Sequence, residues 1–354
     1  MVLVCFTIIP AAFAKTRQSH IIDFIYTNQD NYENFGTIPQ DTAYALEIID
    51  YYNSYSVQDF LGVKYRVDKT ALKENLTGQI AEMFNNEQIN IYDLYYLLKS
   101  LNILEPLEQS LQLSLHNRIY RYINETFQEE GGFSPTNTSN SANMISTYFI
   151  YNIYSLINEP VLNKTQHINW ILSCNNVDGG YGGNQTLSST LLTTMCAVSL
   201  IKSFEATLIN QIITLDYLNS HFVADPSNLE NYGGYLPDLI AQRALLSSTY
   251  QCIETIKLID ANYTNSAKSS IWILGLQNFQ DGGFAENLGL YEQKKSSITA
   301  TYYAFKVLYS FNSLNLLNED IFMVEFNLII LIVVLFSIAG VIALIYFIWR
   351  KRRI

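Results

Sequence analysis

The feature that most constrains this chain of 354 residues is an internal repeat, because a period near fifty residues dictates stacked copies of one supersecondary unit. Four segments align: FQEEGGFSPTNTSNSANMISTYFIYNIYSL from Phe127, CNNVDGGYGGNQTLSSTLLTTMCAVSLIKSF from Cys174, LENYGGYLPDLIAQRALLSSTYQCIETIKLI from Leu229, and LQNFQDGGFAENLGLYEQKKSSITATYYAFKVL from Leu276. Their glycine pairs, Gly131-Gly132, Gly179-Gly180, Gly233-Gly234 and Gly282-Gly283, are spaced by 48, 54 and 49 residues at the first glycine.

Each unit reads as an aromatic and aliphatic helix, an acidic or amide turn, Gly-Gly-aromatic, a polar loop, and a second apolar helix opened by Ser or Thr. The glycines serve positive φ or close backbone approach, a structural role shared by Asp178 and Asp281. Ser188, Ser247 and Ser296 are expected as N-caps. Two weaker copies precede these, ENFGTIPQDTAYALEIIDYY from Glu33 with a single Gly36 and NNEQINIYDLYYLLKSL from Asn85 without glycines, giving six helical pairs. In the latter, Ile91, Leu94, Tyr95 and Leu98 recur at helical spacing, and no strand pattern stands out. Six such pairs form either an open solenoid or a closed ring.

The ends of the sequence carry separate signals. Leu328 to Trp349 is 22 residues without a charge, the length of a bilayer span, followed by Arg350, Lys351, Arg352 and Arg353. The positive-inside rule puts that stub in the cytoplasm and everything before Phe326 outside. Val2 to Ala14 is apolar and ends Ala12-Phe13-Ala14, as a signal peptide does, although no Lys or Arg precedes Lys15. The expected organisation is thus a signal peptide at 1–14, a repeat domain at 22–318, a transmembrane helix at 326–349 and a basic tail at 350–354. Six sequons, at Asn75, Asn124, Asn137, Asn163, Asn184 and Asn262, are glycosylation candidates on such an exterior domain.

Between the apolar ends stand 17 basic against 31 acidic residues, a balance unsuited to nucleic acid. Of the cysteines, Cys5 falls in the leader, and Cys174, Cys196 and Cys252 are too few for a disulfide framework and suit small core positions.

The repeats resemble the α/α toroid of protein prenyltransferase β subunits and squalene or terpene cyclases, whose units read Gln-x-x-x-Gly-Gly-Phe-Gly-Gly before a Thr-Tyr-x-Ala-x-x-x-Leu helix. Cys174 to Leu200 and Leu276 to Leu308 are the nearest copies, and the resemblance runs from about Asp23 to Asn318. It implies an all-α fold, an (α/α)6 toroid of six helix pairs.

The same resemblance implies chemistry that the motifs do not match. The zinc site of protein prenyltransferases pairs an Asp with a Cys two residues on and a distant His. Here Tyr250, Thr194 and Leu172 stand two before Cys252, Cys196 and Cys174, and His20, His116, His167 and His221 are scattered. The Asp-x-Asp-Asp acid of squalene cyclases and the Cys-Gly-Glu-Gln thioester of complement-type toroids are absent from the sequence. Lys202, Arg243, Lys257, Lys268, Lys294, Lys295 and Lys306 read as a solvated face, and neither a metal nor a cofactor is expected.

What remains is the cavity: Tyr148, Tyr250 and Tyr302 follow Thr147, Thr249 and Thr301 and either line an apolar pocket or pack between helices. Intact repeats without catalytic motifs lead to the expectation of a membrane-anchored, non-catalytic protein that binds or scaffolds a peptide, glycan or lipid. The alternative is a prenyltransferase- or cyclase-like enzyme acting on an isoprenoid.

Overall fold

The computed structural model describes residues 15–59, 62–260, 265–293 and 295–321, with isolated positions 337, 340, 349 and 350. The expected signal peptide, and nearly all of the expected span and basic tail, lie outside them. Among the described residues no helix is long and apolar enough to cross a membrane.

Twelve helices alternate in two roles. The outer ones are α1 (Arg17–Thr27), α3 (Lys69–Asn85), α5 (Leu113–Glu125), α7 (Lys164–Ser173), α9 (Gln211–Ser220) and α11 (Ser266–Gly275). The inner ones are α2 (Pro39–Tyr51), α4 (Ile91–Leu104), α6 (Met144–Leu156), α8 (Leu191–Ser203), α10 (Leu246–Ile259) and α12 (Ile298–Ser310). Each inner helix packs on the next, and α12 returns to α2, so the six pairs close into a ring rather than an open solenoid.

The inner helices begin where their sequences supply caps. Asn90, Asn143 and Ser297 accept from first-turn N–H groups of α4, α6 and α12, and Thr190 forms a capping box with Thr193 at α8. The caps are therefore Thr190 and Ser297, not Ser188 and Ser296. At α10 no side chain of the helix's own start serves. Instead Ser247 donates its N–H to Glu286 Oε1 at 2.8 Å, from the following repeat.

The Gly-Gly turn has one job repeated around the ring. Behind it, or in the first repeat just before the single Gly36, an aromatic residue is fully buried, and its N–H donates to a threonine hydroxyl in the next inner helix. The pairs are Phe35 to Thr42 at 3.0 Å, Phe133 to Thr147 at 2.9 Å, Tyr181 to Thr194 at 2.9 Å, Tyr235 to Thr249 at 3.0 Å and Phe284 to Thr301 at 2.9 Å. Asp178 and Asp281 brace the turn from inside, each accepting from the second glycine's N–H and from a loop serine.

The first glycine presses against a backbone carbonyl near the start of the next outer helix. An added Cβ would stand 2.6 Å from Gln166 O at Gly131, and 2.5 Å from Ile213 O and Lys268 O at Gly179 and Gly233. At Gly282, whose φ is +87°, the carbonyl is that of His20 in α1, at 2.4 Å, so the last turn fastens onto the first helix. Gln277, fully buried, joins the same seam: it accepts from Arg17 Nη1 at 2.9 Å and donates to the Arg17 and Gly282 carbonyls. A two-residue antiparallel pair, Lys15–Thr16 with Asp320–Ile321, runs alongside.

The longest non-helical element among the described residues is a β-hairpin. Ser56–Asp59 and Gly62–Arg66 form an antiparallel hairpin. Tyr65 on it stacks on Tyr26 at 4.9 Å between centroids. Its apolar alternation spans only Val57, Val63 and Tyr65, too short to separate from a loop by periodicity.

The three described cysteines are free and buried, as small core residues. His167 is buried on α7, where its Nδ1 accepts the Gly132 N–H at 3.0 Å, and burial pushes its pKa down to about 4.

Two outcomes follow. Gly282→Ala should cost roughly 2–4 kcal/mol in chemical denaturation, from strain plus clash. Gly78→Ala, in α3 with open space at its Cβ, should be neutral or stabilising by up to about 1 kcal/mol. Equal effects would refute the seam. Because unfolded His167 binds a proton more readily than folded, its contribution is complete above about pH 6.5 and is lost as pH falls toward 4. That loss is up to about 3 kcal/mol, and His167→Gln should flatten the denaturation-midpoint profile over this window.

Candidate functional site

Counting from each inner helix's N-cap, the fifth residue is Ala43, Tyr95, Tyr148, Met195, Tyr250 or Tyr302. Four of six are tyrosine. One turn further along the same faces come Glu47, Lys99, Asn152, Ser199, Glu254 and Lys306. The ring thus carries an aromatic tier and a polar tier toward its axis.

Burial raises the Tyr148, Tyr250 and Tyr302 hydroxyls well above the usual phenol range, and Tyr95 likewise. Yet Tyr95, Tyr148 and Tyr250 keep part of their surface accessible. These rings are thus largely desolvated yet incompletely covered. The sequence-predicted tyrosines therefore divide: Tyr148 lines a cavity of about 350 Å³ with Tyr151, Asn152, Ser199 and Lys202. Tyr302 packs instead, stacked on Tyr44 at 3.7 Å, and Tyr250 stacks on Tyr303 at 4.6 Å beside it. A larger groove of about 820 Å³, beside Phe84, Arg118 and Arg121, lies on the outer wall and touches none of these groups.

At the stacked side the polar tier converges. Glu47 pairs with Lys99 and, at 3.8 Å, with Lys306, and accepts the Tyr302 hydroxyl at 2.9 Å. The Lys99 ammonium stands 5.7, 5.9 and 5.7 Å from the ring centroids of Tyr44, Tyr95 and Tyr302. Glu254, one sector away, accepts from Ser310, whose carbonyl takes Lys257. Lys257 and Lys306 are thus half-buried and engaged by Ser310 and Glu47, rather than standing on a freely solvated face. Lys99, Glu47, Tyr44 and Tyr95 escaped sequence reasoning because the first two repeats have lost glycines. Alignment on the caps instead, with Asn90 against Asn143 and Ser297, would have found them.

The residues present do not fit the zinc site that the toroid family implies. Burial pushes the Cys174 thiol up to about 12, and raises Cys196 and Cys252 too, which disfavours thiolate. His167 and His221 are held by backbone groups of their turns, and His116 Nε2 lies 3.2 Å from the Ile157 carbonyl. Among the described residues no three His, Cys, Asp or Glu side chains converge as a ligand set.

Of the sequons, Asn137 and Asn163 are exposed. The Asn75 and Asn124 amides donate to carbonyls of Tyr32 and Tyr120, at 3.1 and 2.7 Å, and Asn184 accepts from Thr186. Asn262 lies outside the described residues.

Among solved structures, a Candida albicans protein geranylgeranyltransferase-I complexed with GGPP is similar with TM-score 0.57 and 17% identity, over 86% of this chain and 87% of that one. A protein from Actinoplanes follows at 0.54, with 10% identity over 83% and 98%. A type II terpene cyclase from Scytonema, in complex with geranylgeranyl dihydroxybenzoate, gives 0.51, with 9% identity over 83% and 96%. No curated protein matches the sequence.

With the family match, these neighbours favour the enzyme alternative and correct the expectation of a non-catalytic binding or scaffold domain, while the expected anchor lies almost wholly outside the described residues. Two of the three are enzymes with isoprenoid ligands, and the axis here holds convergent charge where sequence reading saw none. The model of the prenyltransferase alpha-alpha toroid domain matches residues 2–236 and 238–327, and the chain belongs to that family.

Proposed function

We propose that this protein is an enzyme of the prenyltransferase or terpene-cyclase class that takes an isoprenoid chain into its axial cavity. The observation that carries the reading is the axial tier itself: Tyr95, Tyr148, Tyr250 and Tyr302 at equivalent positions, with Lys99, Lys306 and Glu47 one turn away.

Aromatic faces suit such a substrate twice over. They bury apolar chain without demanding hydrogen bonds, and their quadrupoles stabilise the carbocation that forms when an allylic bond ionises or an alkene is protonated. The open pocket of about 350 Å³, to which Tyr148 alone of the aromatic tier contributes, falls within the usual range for small-molecule sites. The isoprenoid ligands of the geranylgeranyltransferase and of the terpene cyclase support the same substrate class. The unfitting cysteines and histidines leave the acid, base or nucleophile to this chain's own axial groups or to the substrate.

Purified protein given farnesyl diphosphate, geranylgeranyl diphosphate or squalene, with and without a thiol peptide acceptor, should consume at least one of them. Product would be followed by mass spectrometry. Tyr148→Ala and Tyr250→Ala should each lower kcat/KM by about tenfold or more, the worth of one lost aromatic contact with a cation. Neither binding nor turnover of any of the three would refute the reading.

A further inference from the structure

We propose that the groove of about 820 Å³ beside α5 is a docking site for a glycine-pair turn presented by a partner polypeptide.

The outer helices share a ledge. Four residues before the C-cap stand Phe24, Tyr122, Trp170, Tyr217 and Trp272, an aromatic ring on five of the six. On four of these the second glycine of a pair lies so close that an added Cβ would stand 2.8–2.9 Å from the ring: Gly283 on Phe24, Gly132 on Trp170, Gly180 on Tyr217 and Gly234 on Trp272. Side chains of the ledge also donate to carbonyls of the arriving turn, Gln166 to Glu129, Thr214 to Gly179, Ser269 to Gly233 and Trp272 to Glu230. A bare ring beside donors for backbone carbonyls receives a chain that has no Cβ in the way.

Tyr122 is the ring left over. The connection that would cover it runs only over 86–90, where the next two run over 126–143 and 174–190, and it contains no glycine. The groove lies there, walled by Phe84, Arg118, Arg121 and Tyr122 with Glu87 and Glu125 at its side. Phe84 meets Tyr122 edge-on at 6.0 Å. Arg118 stands four residues before the ring, as Gln166 does on α7, and only one of its contacts is spent, on Asn85 Oδ1 at 3.0 Å. Arg121 is exposed one turn along.

Elsewhere the turn is locked from behind, by an aromatic N–H that finds a threonine four residues after the N-cap. In α4 that position is Leu94, fully buried. The interior is already closed in this sector, so an occupant is held at the ledge alone, and it comes and goes rather than forming part of the fold. A second copy of this chain has no such turn to give, since each Gly-Gly in the sequence is packed within its own ring.

The test titrates a cyclic peptide into the full chain by calorimetry. Its sequence is residues 277–285, closed by a disulfide between added terminal cysteines, because these ends already meet through the Gln277–Phe284 bridge. The wild-type protein should bind it with Kd below about 1 mM, and Gly282→Ala or Gly283→Ala in the peptide should weaken binding by about tenfold or more. Phe284→Ala in the peptide should change binding by less than about twofold, since no threonine receives that residue. On the protein, Arg118→Ala and the exposed Arg121→Ala should each weaken binding by about fivefold, whereas Gln166→Ala at a filled ledge should leave it unchanged. Absence of saturable binding up to about 1 mM would overturn the proposal. So would equal binding of the alanine peptides, the mark of a loose acidic contact with the arginines. Binding untouched by both arginine changes, or weakened by Gln166→Ala instead, would place the peptide on one of the chain's own seams and overturn it as well.

Discussion

A threonine hydroxyl in an inner helix accepting the N–H of a buried aromatic residue is the bond on which the ring depends. It occurs in five of the six pairs, always with the aromatic side chain wedged behind the turn. The aromatic N–H is carried into a dry interior by the bulk of its own ring, where an unmet donor costs about 1–3 kcal/mol. The threonine meets it without leaving its helix, because in α6, α10 and α12 its own hydrogen goes back to the carbonyl four residues earlier. One residue type thereby fixes the loop against the helix and the helix face against the axis.

The axial tiers are a consequence. Once Thr147, Thr249 and Thr301 point outward to the turns, the next residue is turned toward the centre, and a tyrosine follows each of them. The residue one helical turn later shares that direction, which is how Glu47, Lys99 and Lys306, distant in sequence, come to share a site. Structural and functional constraints are thus interleaved along one helix, at adjacent positions with different duties.

Much of this was legible in the sequence, and the parts that were not have definite causes. The glycine pairs gave the period, the six-pair count and the helical character, because close backbone approach leaves no substitute for glycine at Gly179, Gly233 or Gly282. The caps were misjudged by one or two residues at Ser188 and Ser296, where neighbouring hydroxyls compete and only geometry chooses. The axial lysines were hidden for a different reason. Lysine is usually a surface residue, and nothing in the sequence around Lys99 or Lys306 reveals that a carboxylate waits on the neighbouring helix α2. The separation of Tyr148, which borders open space, from Tyr302, which stacks on Tyr44, is a packing outcome with no local signature.

The seam between Gly282 and the His20 carbonyl also bears on the order in which the molecule can be made. During synthesis α1 emerges first, but the surface that covers it belongs to a turn some 260 residues later, where Gly283 lies flat against the Phe24 ring. Until then an incomplete arc presents an apolar edge at each end, the kind of transient exposure that invites aggregation or joining to a second copy. A nascent chain of this design is one that a cell has reason to shelter for the length of its translation.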